Sequence, residues 1–177
     1  MLNAKKLTTE ETLQTITLKA PYLLFIGSET EPIYAKTAAG LAHWVPEKCM
    51  GQLSLPGGTI DLGLPKHDVV SAAKAGAKSL VIGTSAVGGA IPAAWMPTLI
   101  QALESGLDIV AGVHTKLNEM PELVAAAKES GASLVDVRVP PKDIPVGTGL
   151  KRTGKRLLTV GTDCALGKKY TALAIAR

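Results

Sequence analysis

The sequence predicts an α/β fold with a doubly wound parallel sheet, on two observations. First, one unit recurs three times between residues 67 and 137: an amphipathic helix, a glycine (Gly76, Gly106 or Gly131) and a short apolar strand. Glycine suits the position just after a helix, where the backbone takes a positive φ. Second, the apolar run Tyr22–Gly27 is typical of a strand that is buried on both faces. Alternating helices and strands of this kind predict a parallel sheet covered by helices.

Shorter sequence patterns predict further helices and one further strand. We expect a leading helix at Thr8–Leu18, a helix from Pro32 through Trp44, and a short strand at Leu53–Leu55. Ligands of such sheets bind outside the carboxyl ends of the strands, so function is expected in the loops that follow them. In one of these loops Gly88 and Gly89 precede Pro92, which we expect to be the first residue of a helix. The N-terminus of that helix would then bind an anion.

The C-terminal residues have the layout of a phosphate-binding loop. Leu157–Val160 predicts a strand, and an alanine-rich helix follows the loop. The candidate cofactor-binding residues are Gly161, Thr162, Asp163, Cys164, Ala165, Leu166, Gly167, Lys168 and Lys169. We interpret Cys164 as a small residue that fills the loop.

The loop departs from the usual P-loop in two ways. Five residues instead of four separate Gly161 from the Gly-Lys pair, a spacing that resembles dethiobiotin-synthetase-like proteins. Lys169 occupies the position where Ser or Thr normally holds Mg²⁺, and the nearest hydroxyl is that of Thr171. Two adjacent lysines are better suited to holding a phosphate than to activating one, so we expect binding rather than hydrolysis.

The pattern divides the chain into two domains. Residues 1–149 predict a Rossmann-like N-terminal domain, with a proline- and glycine-rich linker at about 140–155. Residues 156–177 predict the start of a P-loop α/β domain, and we expect that domain to continue beyond Arg177, since a lone strand and helix cannot bury their apolar faces.

The amino-acid composition limits the classes of partner that we expect this chain to bind. The chain is 46% hydrophobic and carries a net charge of +4, but aromatic residues make up only 3%. With so few aromatic rings to stack on bases, we expect no nucleic acid partner and attribute the positive charge to phosphorylated small molecules. The two cysteines lack metal-ligand spacing, so we expect no metal and a reducing, cytoplasmic location. No apolar run approaches the ~20 residues that span a bilayer, so we expect no membrane association.

Four motifs together resemble one family. They are GTDCALGKKYTA at 161–172, GGAIP at 88–92 followed by Trp95, LPGG at 55–58 and RVPP at 138–141. The chain resembles the DgcN-type D-glutamate N-acetyltransferases, which have a Rossmann-like N-terminal domain and a C-terminal P-loop domain. The resemblance implies acetyl transfer from acetyl-CoA, as co-substrate, to the amine of D-glutamate, and it allows a homo-oligomer.

The residues permit a physical account of that activity. The P-loop lysines would hold the phosphates of CoA, while Gly88, Gly89 and Arg138 would bind the carboxylates of D-glutamate. Amine attack needs a base, for which His114, at the carboxyl end of the predicted strand 109–113, is the first candidate and Asp61 the second.

Two other functions stay open. One is a P-loop NTPase or an ATP-dependent ligase resembling dethiobiotin synthetase, which would use ATP and Mg²⁺. The other is a protein that senses CoA or a nucleotide without turnover.

Overall fold

The structure is a computed structural model, and it describes residues 16–85, 87–139, 149–151, 153–162 and 167–177. Internal contacts divide the chain into two units, Met1–Lys142 and Asp143–Arg177. Most of the leading helix predicted at Thr8–Leu18 lies outside the described residues, and residues 16–18 are not helical.

The first unit is built on one parallel sheet of five strands. The strands are β1 (Tyr22–Gly27), β2 (Cys49–Ser54), β3 (Ser79–Ile82), β4 (Asp108–Ala111) and β5 (Leu134–Asp136), in the order β2-β1-β3-β4-β5. All four pairings are parallel, which confirms the predicted α/β fold. The strand expected at Leu53–Leu55 begins earlier, because residues from Cys49 onward already pair with β1.

Four helices connect the strands of this sheet. They are α1 (Lys36–Trp44), α2 (Val69–Lys74), α3 (Met96–Glu104) and α4 (Pro121–Ser130). The helix predicted from Pro32 begins as a separate 3₁₀ turn, Pro32–Tyr34, and becomes α-helical at Lys36. The glycines after α2, α3 and α4 have φ angles of 99°, 79° and 75°, which confirms their predicted role in ending these helices. None of the helices within the described residues is long and apolar enough to cross a bilayer.

The two faces of the sheet are covered unequally. Leu23, Phe25 and Leu80 pack with residues of α2, α3 and α4, whereas their neighbours Leu24 and Val81 pack with α1. This alternation follows from the strand geometry, in which successive side chains point to opposite faces. With both sides of β1, β3 and β4 buried, the loops at the carboxyl ends of the strands start from fixed positions.

The second unit contains one helix, α5 (Lys168–Ala176), within its described residues. The strand predicted at Leu157–Val160 is wrong, because no strand is present there and Leu157, Leu158 and Val160 are 75%, 80% and 78% exposed. A strand exists only by pairing, and the described part of this unit supplies no partner strand. The segment is tied to α5 by Thr159, whose Oγ1 donates to the Lys168 carbonyl at 2.8 Å.

Candidate functional site

A cleft of about 480 Å³ opens at the carboxyl ends of β3, β4 and β5. It lies where the fold class predicts a ligand site, and its size suits a small molecule. Its polar lining comes from α1 and from the loops after these strands, and consists of Thr37, Thr84, Ser85, His114 and Arg138 together with Gly88, Gly89 and Gly112. The structure therefore brings the predicted base His114 together with all three predicted substrate-binding residues.

His114 is held in place through its backbone. Its amide N donates to the Gly89 carbonyl at 3.0 Å, and the amide of Thr115 donates to the same oxygen at 3.3 Å. Gly89 has a φ of 72°, and a Cβ at that position would run into the imidazole ring of His114. The turn at Val87–Gly89 is thus a seat for the imidazole, and it requires glycine both for its backbone angle and for space.

The expected role of Gly88 and Gly89 at a helix N-terminus is wrong. They lie in a separate 3₁₀ turn, and Pro92 precedes a second short turn, Ala93–Trp95, before α3 begins at Met96. The two glycines still line the cleft. What they offer there is close packing rather than a helix dipole.

Arg138 contacts the candidate base directly. Its Nη1 lies 3.3 Å from Nε2 of His114. Arginine only donates hydrogen bonds, so a hydrogen bond between these two atoms requires Nε2 to be the acceptor, with the ring proton on Nδ1. None of the described residues that line the cleft carries a carboxylate. The cleft is therefore suited to an anionic ligand.

Thr84, which the sequence analysis missed, lies in the wall of the same cleft. The residue is 4% exposed, and its Oγ1 has no hydrogen-bond partner among the described residues. Buried hydroxyls without a partner are rare in folded proteins. The next residue, Ser85, is fixed by its amide, which donates to the Tyr34 carbonyl at 3.0 Å. Both follow β3 directly, so their position after a strand is the signal that could have found them.

Asp61, the second candidate base, does not line this cleft. It lies in the loop after β2, where its carboxylate accepts from the Gly63 amide at 2.8 Å and pairs with Lys66 at 3.3 Å. The Gly63 hydrogen bond, followed by Lys66, lowers the pKa of Asp61. A lowered pKa makes a carboxylate a poorer proton acceptor. The surroundings of Asp61 therefore weaken it as a general base.

A second cleft, of about 620 Å³, lies beside the loop after β2. Its lining includes Gln52, the LPGG turn at 55–58, Lys66, His67 and Asp68. Gln52 is 1% exposed, and its side chain accepts from the Leu62 amide at 2.7 Å and contacts the Ile60 carbonyl at 3.4 Å. Asp68 and Ser71 form a reciprocal cap at the start of α2. Gln52, Lys66 and Asp68 of this cleft thus have partners in the adjoining loop and in α2.

The P-loop candidates are described in part. Asp163, Cys164, Ala165 and Leu166 lie outside the described residues, while Gly161, Thr162, Gly167, Lys168 and Lys169 lie within them. Gly167, with a φ of 91°, caps α5, so Lys168 and Lys169 are the first two residues of the helix. The hydroxyl of Thr171 donates to the Gly167 carbonyl at 3.1 Å. Among the described residues, no group of His, Cys, Asp and Glu could hold a metal ion.

Comparisons with known proteins agree with this two-part organisation. Residues 54–140 match the model for the N-terminal Rossmann-like domain of unknown function DUF1611_N, and residues 145–177 match the P-loop domain of DUF1611_C. A crystal structure of a DUF1611 family protein from Anabaena variabilis superposes with a TM-score of 0.74 at 30% identity, over 89% of this chain and 48% of that one.

Two curated relatives are described as D-glutamate N-acetyltransferase. The protein from Tritonibacter scottomollicae is 48% identical over 158 residues, which are 89% of this chain and 47% of the relative. The protein from Pseudoalteromonas sp. is 44% identical over 160 residues, 90% of this chain and 48% of the relative. The chain thus spans about half the length of the curated relatives that it matches.

Proposed function

Since this chain belongs to the DUF1611 family, in both its Rossmann-like and its P-loop domain, we propose that it serves in the transfer of an acetyl group from acetyl-CoA to the amine of D-glutamate. The observation that carries the proposal is the cleft in which His114 and Arg138 meet, with no carboxylate among its described lining residues. The names of the two relatives support the same acceptor.

The cleft suits the charges of the acceptor. D-Glutamate carries two carboxylates, and a guanidinium can bind one of them through two parallel hydrogen bonds. Arg138 is exposed at the cleft, and Thr37 and Ser85 add hydroxyl groups to the lining. We assign Arg138 to one carboxylate. The seat formed by Gly89 keeps the imidazole of His114 beside it.

The reaction needs two protons to leave the acceptor nitrogen. The ammonium first loses one proton, and the free amine then attacks the carbonyl carbon of the thioester. As the C–N bond forms, His114 would take the second proton through Nε2, and the C–S bond then breaks. The thiolate of CoA leaves and is protonated, so the products are N-acetyl-D-glutamate, CoA and one released proton.

The donor is assigned to the P-loop. CoA carries a pyrophosphate and a 3′-phosphate, and Lys168 and Lys169 begin a helix whose N-terminal dipole also favours anions. The Thr171 hydroxyl, the nearest substitute for the missing Mg²⁺ ligand, is bonded to its own helix. These contacts favour phosphate binding over metal-assisted hydrolysis.

A thiol-release assay tests the proposal. The intact protein is mixed with acetyl-CoA and D-glutamate, with parallel reactions containing L-glutamate or ATP and Mg²⁺. We expect thiol release with the D-isomer. Phosphate release from ATP would support the NTPase or ligase instead, and tight CoA binding without turnover would support a sensor.

A variant pair tests the donor site. Lys168→Ala should weaken CoA binding, measured by calorimetry, by roughly 10-fold or more, because a charged hydrogen bond to phosphate is lost. The matched control is Lys155→Ala, which removes the same charge from an exposed position outside the loop. Equal CoA affinity in the two variants would contradict the assignment.

A further inference from the structure

We propose that Arg138 is a substrate-operated lock on His114, so that the base becomes available only when the carboxylate of an acceptor draws the guanidinium away. The inference rests on the proposed function and deepens it. In this proposal the carboxylate of the acceptor amine has two effects. It contributes binding energy, and it is required before His114 can accept a proton.

The lock follows from which atom Arg138 occupies. Its Nη1 lies 3.3 Å from Nε2 of His114, and a hydrogen bond between these atoms uses the lone pair of Nε2 as the acceptor. The lone pair of Nε2 is the one that a general base must present to the amine. While the guanidinium donates to it, the imidazole has no lone pair left for a substrate proton.

The contact is weak enough to be exchanged. At 3.3 Å it lies beyond the usual range for an N–H donor, and both side chains are exposed. A carboxylate can bind a guanidinium through two parallel charge-assisted hydrogen bonds, whereas a single imidazole nitrogen accepts only one. The described residues that line the cleft include no carboxylate, so in this proposal the competing anion comes from the ligand.

The structure also decides which partner moves. His114 is pinned by the hydrogen bonds of the Gly89 carbonyl to the 114 and 115 amides and by the contact of its ring with Gly89. The backbone beside Arg138 is fixed as well, since the Val137 amide donates to the Ala111 carbonyl at 2.9 Å. The long, unbranched arginine side chain is therefore the part that can swing while the ring stays in place.

Substrate discrimination tests the lock. Turnover of D-glutamate and of butylamine, a primary amine of similar length without carboxylates, is compared in the wild type and in Arg138→Gln. D-Glutamate kcat/KM should fall roughly 100-fold in the variant because a charged pair is lost. Butylamine kcat/KM should rise roughly 2- to 10-fold, the value of the hydrogen bond that blocked Nε2.

Lys128→Gln is the matched control, since it removes one charge from an exposed position on α4. It should leave both rates unchanged. If Arg138→Gln lowers kcat/KM for the two amines by the same factor, or changes neither value, the lock is overturned. An arginine with a merely structural role would not discriminate between the two substrates.

A binding readout separates this inference from the proposed function. Imidazole ¹⁵N spectra, with the His114 signals assigned by their loss in His114→Ala, report which ring nitrogen is protonated. We expect the Nδ1–H form without ligand and a change at Nε2 on addition of glutarate, which has two carboxylates and no amine. The change should be absent in Arg138→Gln.

The two ideas can therefore fail separately. A glutarate response that depends on Arg138, in a protein that does not acetylate D-glutamate, would retain the lock and reject the proposed reaction. Acetylation of D-glutamate with no response of the His114 ring to glutarate would retain the reaction and reject the lock.

Discussion

The two clefts described above differ in what their polar groups are bonded to. Around the cleft beside β2, Gln52 bonds to the loop after that strand, Asp68 bonds to Ser71, and Asp61 in the same loop pairs with Lys66. The first of these contacts fixes the loop after β2, the second caps α2, and the third is an exposed ion pair. They hold the chain in shape and leave few groups with capacity for a ligand.

The cleft at the ends of β3, β4 and β5 is arranged in the opposite way. Within the described part of the chain, Thr84 has a buried hydroxyl without a partner, and Arg138 makes a long contact with the imidazole of His114. A buried hydroxyl without a partner costs stability, and a protein retains such a group where it serves a ligand. The larger cleft is thus the structural one, and the smaller is the better candidate for chemistry.

The largest expected difference between the clefts is at their histidines. His114→Ala should lower kcat for acetyl transfer by about 10²- to 10⁴-fold, the usual value of a general base, with little change in Tm. His67→Ala should leave kcat unchanged and lower Tm, because the ring packs against Gly51 and lies 3.3 Å from Ser71 Oγ. Steady-state kinetics and thermal melts check both. A larger loss of kcat in His67→Ala would reverse the assignment of the clefts.

A pair of glycines sharpens the comparison. Gly89 and Gly57 have φ angles of 72° and 90°, so an alanine at either position strains the backbone by about 1–2 kcal/mol. A Cβ at Gly57 meets nothing within 4 Å, whereas one at Gly89 displaces the His114 ring. Gly57→Ala should therefore lower only Tm.

Gly89→Ala should lower Tm and, in addition, reduce kcat by about 100-fold, as expected when a catalytic group is displaced by about 1 Å. Kinetics measured well below the Tm of both variants separate the two effects. Equal kcat values would show that the seat does not position the base.

The difference between the clefts could be predicted only in part. The repeated pattern of helix, glycine and strand was sufficient to predict the sheet. A strand that is buried on both faces is a continuous apolar run, and such a run can be recognised in the sequence. The rule that ligands bind at the carboxyl ends of strands was sufficient to predict that His114 and Arg138, which follow β4 and β5, belong to the site. Thr37 reaches the cleft through the packing of α1, for which the sequence gives no local signal.

The errors have equally specific causes. The sequence shows that Leu157–Val160 is apolar but cannot show whether a neighbouring strand is there to pair with it. It shows Asp61 near a glycine-rich turn but cannot show that Gly63 and Lys66 have taken up its carboxylate. Whether a polar group is already satisfied depends on the folded chain, and that property is what separates the two clefts.

The unpartnered hydroxyl of Thr84 gives a prediction of moderate size. Thr84→Val keeps the shape of the side chain and removes a buried hydroxyl that has no partner among the described residues, so stability should rise by about 1 kcal/mol. Affinity for D-glutamate should fall roughly 3- to 10-fold, the value of one hydrogen bond. Chemical denaturation and calorimetry measure the two changes.

Thr59→Val is the control for Thr84→Val, because Thr59 is exposed and lines the other cleft. It should change neither stability nor affinity appreciably. If Thr84→Val gained stability without any loss of affinity, the hydroxyl would be a defect of the wall and not a contact for the acceptor.

The smallest expected effect concerns the cap of α2 beside the larger cleft. The hydrogen bond from the Ser71 amide, followed by that from its hydroxyl, lowers the pKa of Asp68. Because the pKa in the folded state lies below the unfolded value of about 3.9, the cap stabilises the protein above about pH 5. This contribution is lost as the pH falls through the pKa of the folded state. Asp68→Ala should therefore lower Tm at pH 7.

The Tm gap between Asp68→Ala and the wild type should close at the lowest pH at which both proteins still fold, while kcat for acetyl transfer at pH 7 stays equal. Thermal melts across this range and one kinetic measurement test both statements. A gap that persisted in acid would mean that Asp68 acts through packing and not through its charge. A fall in kcat would mean that the larger cleft takes part in the reaction, which its internally bonded polar groups argue against.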